Sequence, residues 1–395
     1  MPSSTTRTKK TKQEPLRFAH PFFTSTPPNR RVPTRAGIRM VSYIQQKLQP
    51  VPKPRSTPVM TLADIVGAQG AQDIEQSGTI RFHAVGDTGK GTNSPQGDVA
   101  EAMAKDFDIN RPAQSPAFFF HLGDVIYGNN KDQKYRPEFY EPYMHYPGKV
   151  IAIPGNHDGE VFQTTDPTSL RAFLANFCAT TPTVPAIAGT IFRETMTQPA
   201  VYWLLNAPFV DIIGLYSNVA ENPGFISGTI PGPQQKAWLI ATLKQILKAR
   251  GTGARKALVI ATHHPPFSAG GHTGSTEMLA DIDDACKQGG VMPDLFLAGH
   301  AHSYQRYTRR LTFGGKALEI PFIVAGTGGI NDQVIVAAAG QVTGDHTFVK
   351  SRQGYGYLLV EVNSTTLTVK MIGVDGLTTS DVDRVAVDLA TSRAV

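Results

Sequence analysis

The chain has 395 residues, 41% hydrophobic and 18% charged, with a net charge of +6, a globular mix that excludes a wholly disordered or fibrous protein. Its two cysteines, Cys178 and Cys286, cannot build a disulfide framework or a cysteine zinc finger. No run of about 18 apolar residues suggests a membrane span, and no apolar stretch follows the polar start as a secretory signal would require, so the cytoplasm is the default compartment.

Residues 1–55 hold twelve Lys and Arg against one acid, Glu14, which leaves −5 for residues 56–395. The basic character therefore belongs to an appendage. Together with the dense prolines from Pro15 to Pro58, it reads as a mostly disordered tail over residues 1–75. Such a tail can contact anionic surfaces. No zinc finger, RNP pattern or heptad array indicates a specific nucleic-acid partner, and the oligomeric state is left open.

A folded domain is expected over residues 76–380, with a C-terminal extension at 381–395. Its first buried strand reads Ile80 to Val85 and runs into Gly86-Asp87-Thr88-Gly89. A helix is expected over Val99 to Phe107. A strand from Ala117 to Leu122 leads to Gly123-Asp124-Val125-Ile126-Tyr127, and one from Lys149 to Ile153 leads to Gly155-Asn156-His157-Asp158. Another strand spans Phe209 to Leu215. A helix spans Gln234 to Ala249, opened by Pro231 and Pro233 and closed by Gly251. The strand Ala257–Ala261 runs into Thr262-His263-His264-Pro265-Pro266, and Leu295–Ala298 runs into Gly299-His300-Ala301-His302. A strand at Pro321 to Ala325 and a hairpin over Gly356 to Gly376, turning at Asn363-Ser364-Thr365, close the series. Strands alternating with helices, followed by a β-rich section, indicate a layered α/β architecture.

Five strand ends thus deliver carboxylate, phenol, amide and imidazole groups. In open α/β sheets such ends line a common crevice. Hard and borderline cations take this mixture of oxygen and imidazole donors without thiolates. Two carboxylates, a phenol, an amide and three imidazoles exceed what one tetrahedral ion needs and suit a two-metal centre with a shared carboxylate. Such a pair can generate hydroxide from water and clamp a phosphoryl group in line.

The motif series resembles the calcineurin-like metallophosphoesterase superfamily, and within it the purple acid phosphatase branch. That branch has Gly at the third place of the first block, here Gly89, and Gly-Asp-x-x-Tyr in the second, here ending at Tyr127. The resemblance implies a β-sandwich of two mixed sheets flanked by helices, in four layers (α/β/β/α). It assigns the first metal to Asp87, Asp124, Tyr127 and His302, and the second to Asp124, Asn156, His263 and His300, with Asp124 bridging. Choosing His263 over His264 follows the family's His-x-Pro. A phenolate implies Fe3+ at the first place, with Fe2+, Zn2+ or Mn2+ at the second. His157 would serve as leaving-group acid or phosphate donor with Asp158 as its orienting partner, and His264 as a further phosphate contact. The implied activity is hydrolysis of a small phosphate monoester by a metal-bound hydroxide, with a phosphodiesterase acting on cyclic nucleotides or lipid headgroups as the alternative. The loops Asn93–Asp98, Asn129–Tyr146, Asp158–Ala188 and Ser268–Glu277 are expected to wall the site. Lys90, Tyr304 and Arg306 stand near enough to the motifs to meet an anionic substrate.

Overall fold

A computed structural model describes residues 48–128, 130–162 and 165–395. Most of the basic tail therefore lies outside the described residues. The part that is described is folded, which moves the domain start forward from 76. Strand β1 (Val59–Thr61) pairs in parallel with a strand in the middle of the chain. Helix α1 (Leu62–Ser77) follows at once, begun by a capping box in which Thr61 N–H donates to Asp64 Oδ2 at 2.7 Å. Leu62, Ile65 and Ile74 of this helix are buried. The pairing and the cap explain why a Pro-rich approach still enters the fold.

The remaining strands are β2 (Thr79–Val85), β3 (Phe118–His121), β4 (Lys149–Ala152), β5 (Trp203–Ala207), β6 (Val210–Gly214), β7 (Ala257–Ala261) and β8 (Leu295–Ala298). They continue as β9 (Tyr304–Phe313), β10 (Lys316–Ala325), β11 (Val342–Thr343), β12 (His346–Arg352), β13 (Tyr355–Asn363), β14 (Thr366–Asp375), β15 (Thr378–Asp388) and β16 (Arg393–Ala394). The helices after α1 are α2 (Pro95–Ala104), α3 (Arg171–Phe177), α4 (Gln234–Arg250) and α5 (Thr276–Gly289).

Among the described residues the strands form two mixed sheets. One runs β1-β5-β6-β7-β8-β10-β9-β12-β11, the other β16-β15-β14-β13-β2-β3-β4. The parallel centres, β6-β7-β8-β10 and β2-β3-β4, read as mostly apolar runs because both of their faces are covered. Ile212, Val259 and Leu297 of the first sheet share one core with Phe82, Phe120 and Ile151 of the second. The opposite side chains, Ile213, Leu258, Ile260 and Phe296, pack with Leu239, Leu243 and Ile246 of α4 and Met278 and Ile282 of α5. Val99 and Met103 of α2 join the first core. Helices therefore flank a pair of stacked sheets, which is the layered fold the resemblance implies.

The predicted strands and the hairpin at Asn363 recur with small shifts. Asn363 Oδ1 accepts the amides of Thr365 and Thr366, both at 2.9 Å, and closes that turn. Helix α2 begins before the predicted Val99 because Ser94 Oγ accepts from Gln96 N–H and Pro95 takes the first helical position. The boundary expected at 380 falls inside β15, which pairs along its length with β14 and then with β16. The C-terminal residues are sheet rather than extension. No helix among the described residues is long and apolar enough to cross a membrane.

Candidate metal centre

Parallel strands in both sheets end on the same side of the molecule, and their C-terminal turns meet. Asp87 follows β2, Asp124 follows β3 and Asn156 follows β4. From the other sheet, His263 follows β7, and His300 and His302 follow β8. His263 Nε2 lies 3.3 Å from Asp124 Oδ2, 3.2 Å from Asn156 Oδ1 and 4.0 Å from Asp87 Oδ1. His302 Nε2 lies 3.6 Å from Asp87 Oδ1. Asp124, His263 and His300 each offer a ligand atom within 4.8 Å of the others. Residues separated by more than two hundred positions thus form one cluster.

The backbone is strained there. Asp87, Asp124 and His300 hold φ of 61°, 54° and 69°, a region that non-glycine residues enter at a cost and that marks functional turns. Close approach also dictates glycine. A Cβ on Gly155 would come within 2.0 Å of Asp124 Oδ1, and one on Gly89 within 2.1 Å of the Tyr127 ring.

The donors fit a cation because of what they lack. Asp87 Oδ1, Asp124 Oδ2 and Tyr127 Oη are buried and meet no donor in hydrogen-bonding geometry. Buried polar atoms are nearly always paired, so three orphans in one cluster call for a partner. His263 adds to the argument. Its Nδ1 lies 2.9 Å from the Leu122 carbonyl oxygen, an acceptor only, so Nδ1 carries the proton and Nε2 faces Asn156 Oδ1 and Asp124. Only a proton or a cation resolves that contact. Burial alone would lower the His263 pKa, but Asp124 and Asp87 outweigh it and hold the ring up at about 9. Burial lifts Asp87 to about 7, against the pull of His263. Burial also raises the Tyr127 phenol, and Asp124 and Asp87 raise it further.

Two expected roles change. Asp158 does not orient His157. Its fully buried carboxylate accepts the amides of Gly155, Val125 and Ile126 at 2.8–3.2 Å, which ties the turn after β3 to the turn after β4. His157 Nδ1 lies instead 2.9 Å from Glu160 Oε1. His264 does not face a substrate. It is buried, with Nδ1 2.8 Å from Ser217 Oγ and Nε2 2.7 Å from the Ala220 carbonyl oxygen. Both ring nitrogens are occupied, and burial pushes its pKa down to about 3.

Tyr304 and Arg306 are also committed elsewhere. The phenol and the guanidinium both bind Asp383 of β15, at 2.7 Å and 2.6–3.0 Å. His157 itself packs against Tyr127 in a tilted arrangement, ring centroids 4.5 Å apart, and its amide donates to Asp124 Oδ1 at 3.0 Å.

Four neighbours carry no motif in the sequence. The Glu221 carbonyl lies 2.7 Å from His300 Nε2, and its carboxylate accepts from Asn156 Nδ2 at 3.3 Å. His272 packs its ring 4.0 Å from that of His300. Its loop, Ser268–Glu277, is one of those expected to wall the site. Gln333 accepts the His302 amide at 2.9 Å, while His302 Nδ1 lies 2.9 Å from the Asn331 carbonyl oxygen. Only the loop hosting His272 had a signal, its position among glycines after the His263 block.

A family profile for calcineurin-like phosphoesterases matches residues 80–304, from β2 to the start of β9. The chain belongs to the calcineurin-like phosphoesterase family. The family is generally metal-dependent and points to a phosphoester hydrolase, and the clustered carboxylates and imidazoles are the candidate ligands here. No curated protein sequence matches the chain. Two solved structures resemble this calcineurin-like phosphoesterase in fold. One is PhoD, with TM-score 0.51 and 13% identity over 87% of this chain and 73% of that one. The other is GAP50, described as the anchor in the inner membrane complex of Plasmodium, with TM-score 0.50 and 13% identity over 77% of this chain and 89% of that one.

Proposed function

We propose that this calcineurin-like phosphoesterase is a dinuclear-metal phosphomonoesterase of the purple acid phosphatase type, acting on a small phosphate ester. The observation that carries the reading is the trio of buried oxygens without donors, Asp87 Oδ1, Asp124 Oδ2 and Tyr127 Oη. Asp87, Asp124, Tyr127 and His302 would hold the first ion, and Asp124, Asn156, His263 and His300 the second. A phenolate suits trivalent iron at the first place, with iron, zinc or manganese at the second. When bound, the two ions supply an acidified water and a clamp on the phosphoryl oxygens.

The chain's own groups supply orientation and a proton. The Leu122 carbonyl accepts the hydrogen bond from His263 Nδ1–H and turns Nε2 inward. The Asn331 carbonyl does the same for His302. Asp158, by gathering three amides, keeps the turns bearing Asp124 and Asn156 in one geometry. His157, with about a quarter of its side chain exposed, hands a proton to the departing alcohol oxygen. With water as nucleophile, no side chain has to carry the phosphoryl group.

The test compares p-nitrophenyl phosphate with bis(p-nitrophenyl) phosphate on the purified metal-loaded protein, alongside elemental analysis and a visible spectrum. The expected result is preference for the monoester and a phenolate-to-iron charge-transfer band. Strong preference for the diester overturns the monoesterase. An active, colourless protein holding only zinc or manganese removes the iron–phenolate part.

A further inference from the structure

We infer that Glu160 is the positioning residue for His157. The inference rests on the reading above, in which His157 faces the leaving oxygen. Asp158 is the carboxylate nearest to His157 in sequence, but its oxygens are taken by three backbone amides. Residues His157–Gly159 form a single 3-10 turn, and such a turn brings positions three apart onto one face. That geometry carries Glu160 back over the ring, with Oε1 2.9 Å from Nδ1.

The surroundings make this contact more than a surface pair. The Glu160 side chain is 12% exposed and that of His157 26%, so water screens the pair only in part. Tyr127 supports the ring from another side, and the His157 amide is anchored on Asp124. Glu221 also brings a carboxylate within 4.8 Å of both groups, but it accepts from Asn156 Nδ2 and stands 3.6 Å from His272 Nδ1. Glu160 is thus the carboxylate that accepts the hydrogen bond from Nδ1–H, which leaves Nε2 for the substrate. As the ester P–O bond breaks, its electron pair goes to the leaving oxygen. That oxygen takes the Nε2 proton, and the ring is left neutral with its Nδ1 proton in place, held in the hydrogen bond to Glu160.

The experiment uses the full-length, metal-loaded chain and two monoesters, p-nitrophenyl phosphate and ethyl phosphate. The first leaving group needs little help from an acid, and the second needs it fully. Glu160→Gln is expected to lower kcat on ethyl phosphate by about 10- to 100-fold. The loss on p-nitrophenyl phosphate should be several-fold smaller, with KM and metal content unchanged. Glu160→Asp should recover part of the loss. Equal losses on both substrates, or none on either, overturn the inference. His157→Ala is measured beside it. If that variant shows the leaving-group dependence and Glu160→Gln does not, the inference on Glu160 alone fails. If His157→Ala shows none, His157 is not the acid and the reading beneath the inference fails with it. A nitrogen NMR measurement on zinc-loaded wild type needs no variant to fold: a proton on His157 Nδ1 is expected, and an unprotonated Nδ1 overturns the inference.

Discussion

Two clusters of histidine, aspartate and tyrosine grow from one strand, β2, and they are satisfied very differently. Within the strand, His83 places Nε2 2.9 Å from Asp106 Oδ2 and Nδ1 3.0 Å from Tyr146 Oη; Tyr357 donates to the same Asp106 oxygen at 2.7 Å. Each of these polar groups has a partner inside the fold. Just past the strand end, Asp87 joins Asp124 and Tyr127 in a cluster where an oxygen of each is left without a donor and where the turns carry positive φ. The residue types are alike. The first cluster is complete as folded and serves stability, whereas the second is complete only with something bound. Function is legible in the unsatisfied cluster, not in the mere presence of His, Asp and Tyr.

Substitutions can break this contrast. Asp124→Ala is expected to cost about three orders of magnitude in kcat/KM, since losing metal-ion catalysis forfeits several kcal/mol of transition-state stabilisation. Its fold should persist, as read by circular dichroism. A purified variant with full activity would show that Asp124 bridges nothing.

Chelation should have the next largest effect. Removing metal lowers the wild-type melting temperature, because a ligand at a hundred times its Kd contributes about 2.7 kcal/mol. The Asp124→Ala protein should respond far less, and an equal response from both would place the metal elsewhere.

Asp106→Ala should do the reverse of Asp124→Ala. It removes the partner of His83 Nε2 and of the Tyr357 hydroxyl and costs about 1–3 kcal/mol of stability, measured by denaturant melts. Hydrolysis at a permissive temperature should be unchanged.

The smallest effect concerns pH. Burial lowers the His83 pKa below its ordinary 6.5, and Asp106 offsets this only in part. The unfolded chain therefore binds the proton more readily than the folded one. Stability from His83 is full above about pH 6.5 and falls as pH drops from there through the folded value. His83→Gln should flatten that part of the acid slope, and an unchanged slope would show that His83 does not titrate differently on folding.

The strand runs were legible because parallel central strands buried on both faces are mostly apolar, and polar members such as His83 are admitted only with partners. The motif residues were legible because each follows such a run. Helix α1 and β1 were missed because their signal sits beside a Pro-rich, basic stretch, and β1 owes its existence to pairing with the distant β5. Asp158 and His264 were misread for a related reason. A residue type announces what a side chain can do, but its partners decide what it does, and those partners are amides of Val125 and Ile126 in one case and Ser217 with Ala220 in the other.

Composition and local pattern by themselves determined the buried strands, the turns after them and the donor types those turns carry, since these depend on near neighbours in the chain. Only the tertiary structure decided which atoms stay unpaired, that Glu160 rather than Asp158 meets His157, and that Glu221 and His272 join the rim. Those outcomes arise where two sheets bring their strand ends together, and contacts between residues far apart in sequence leave no periodic trace in it.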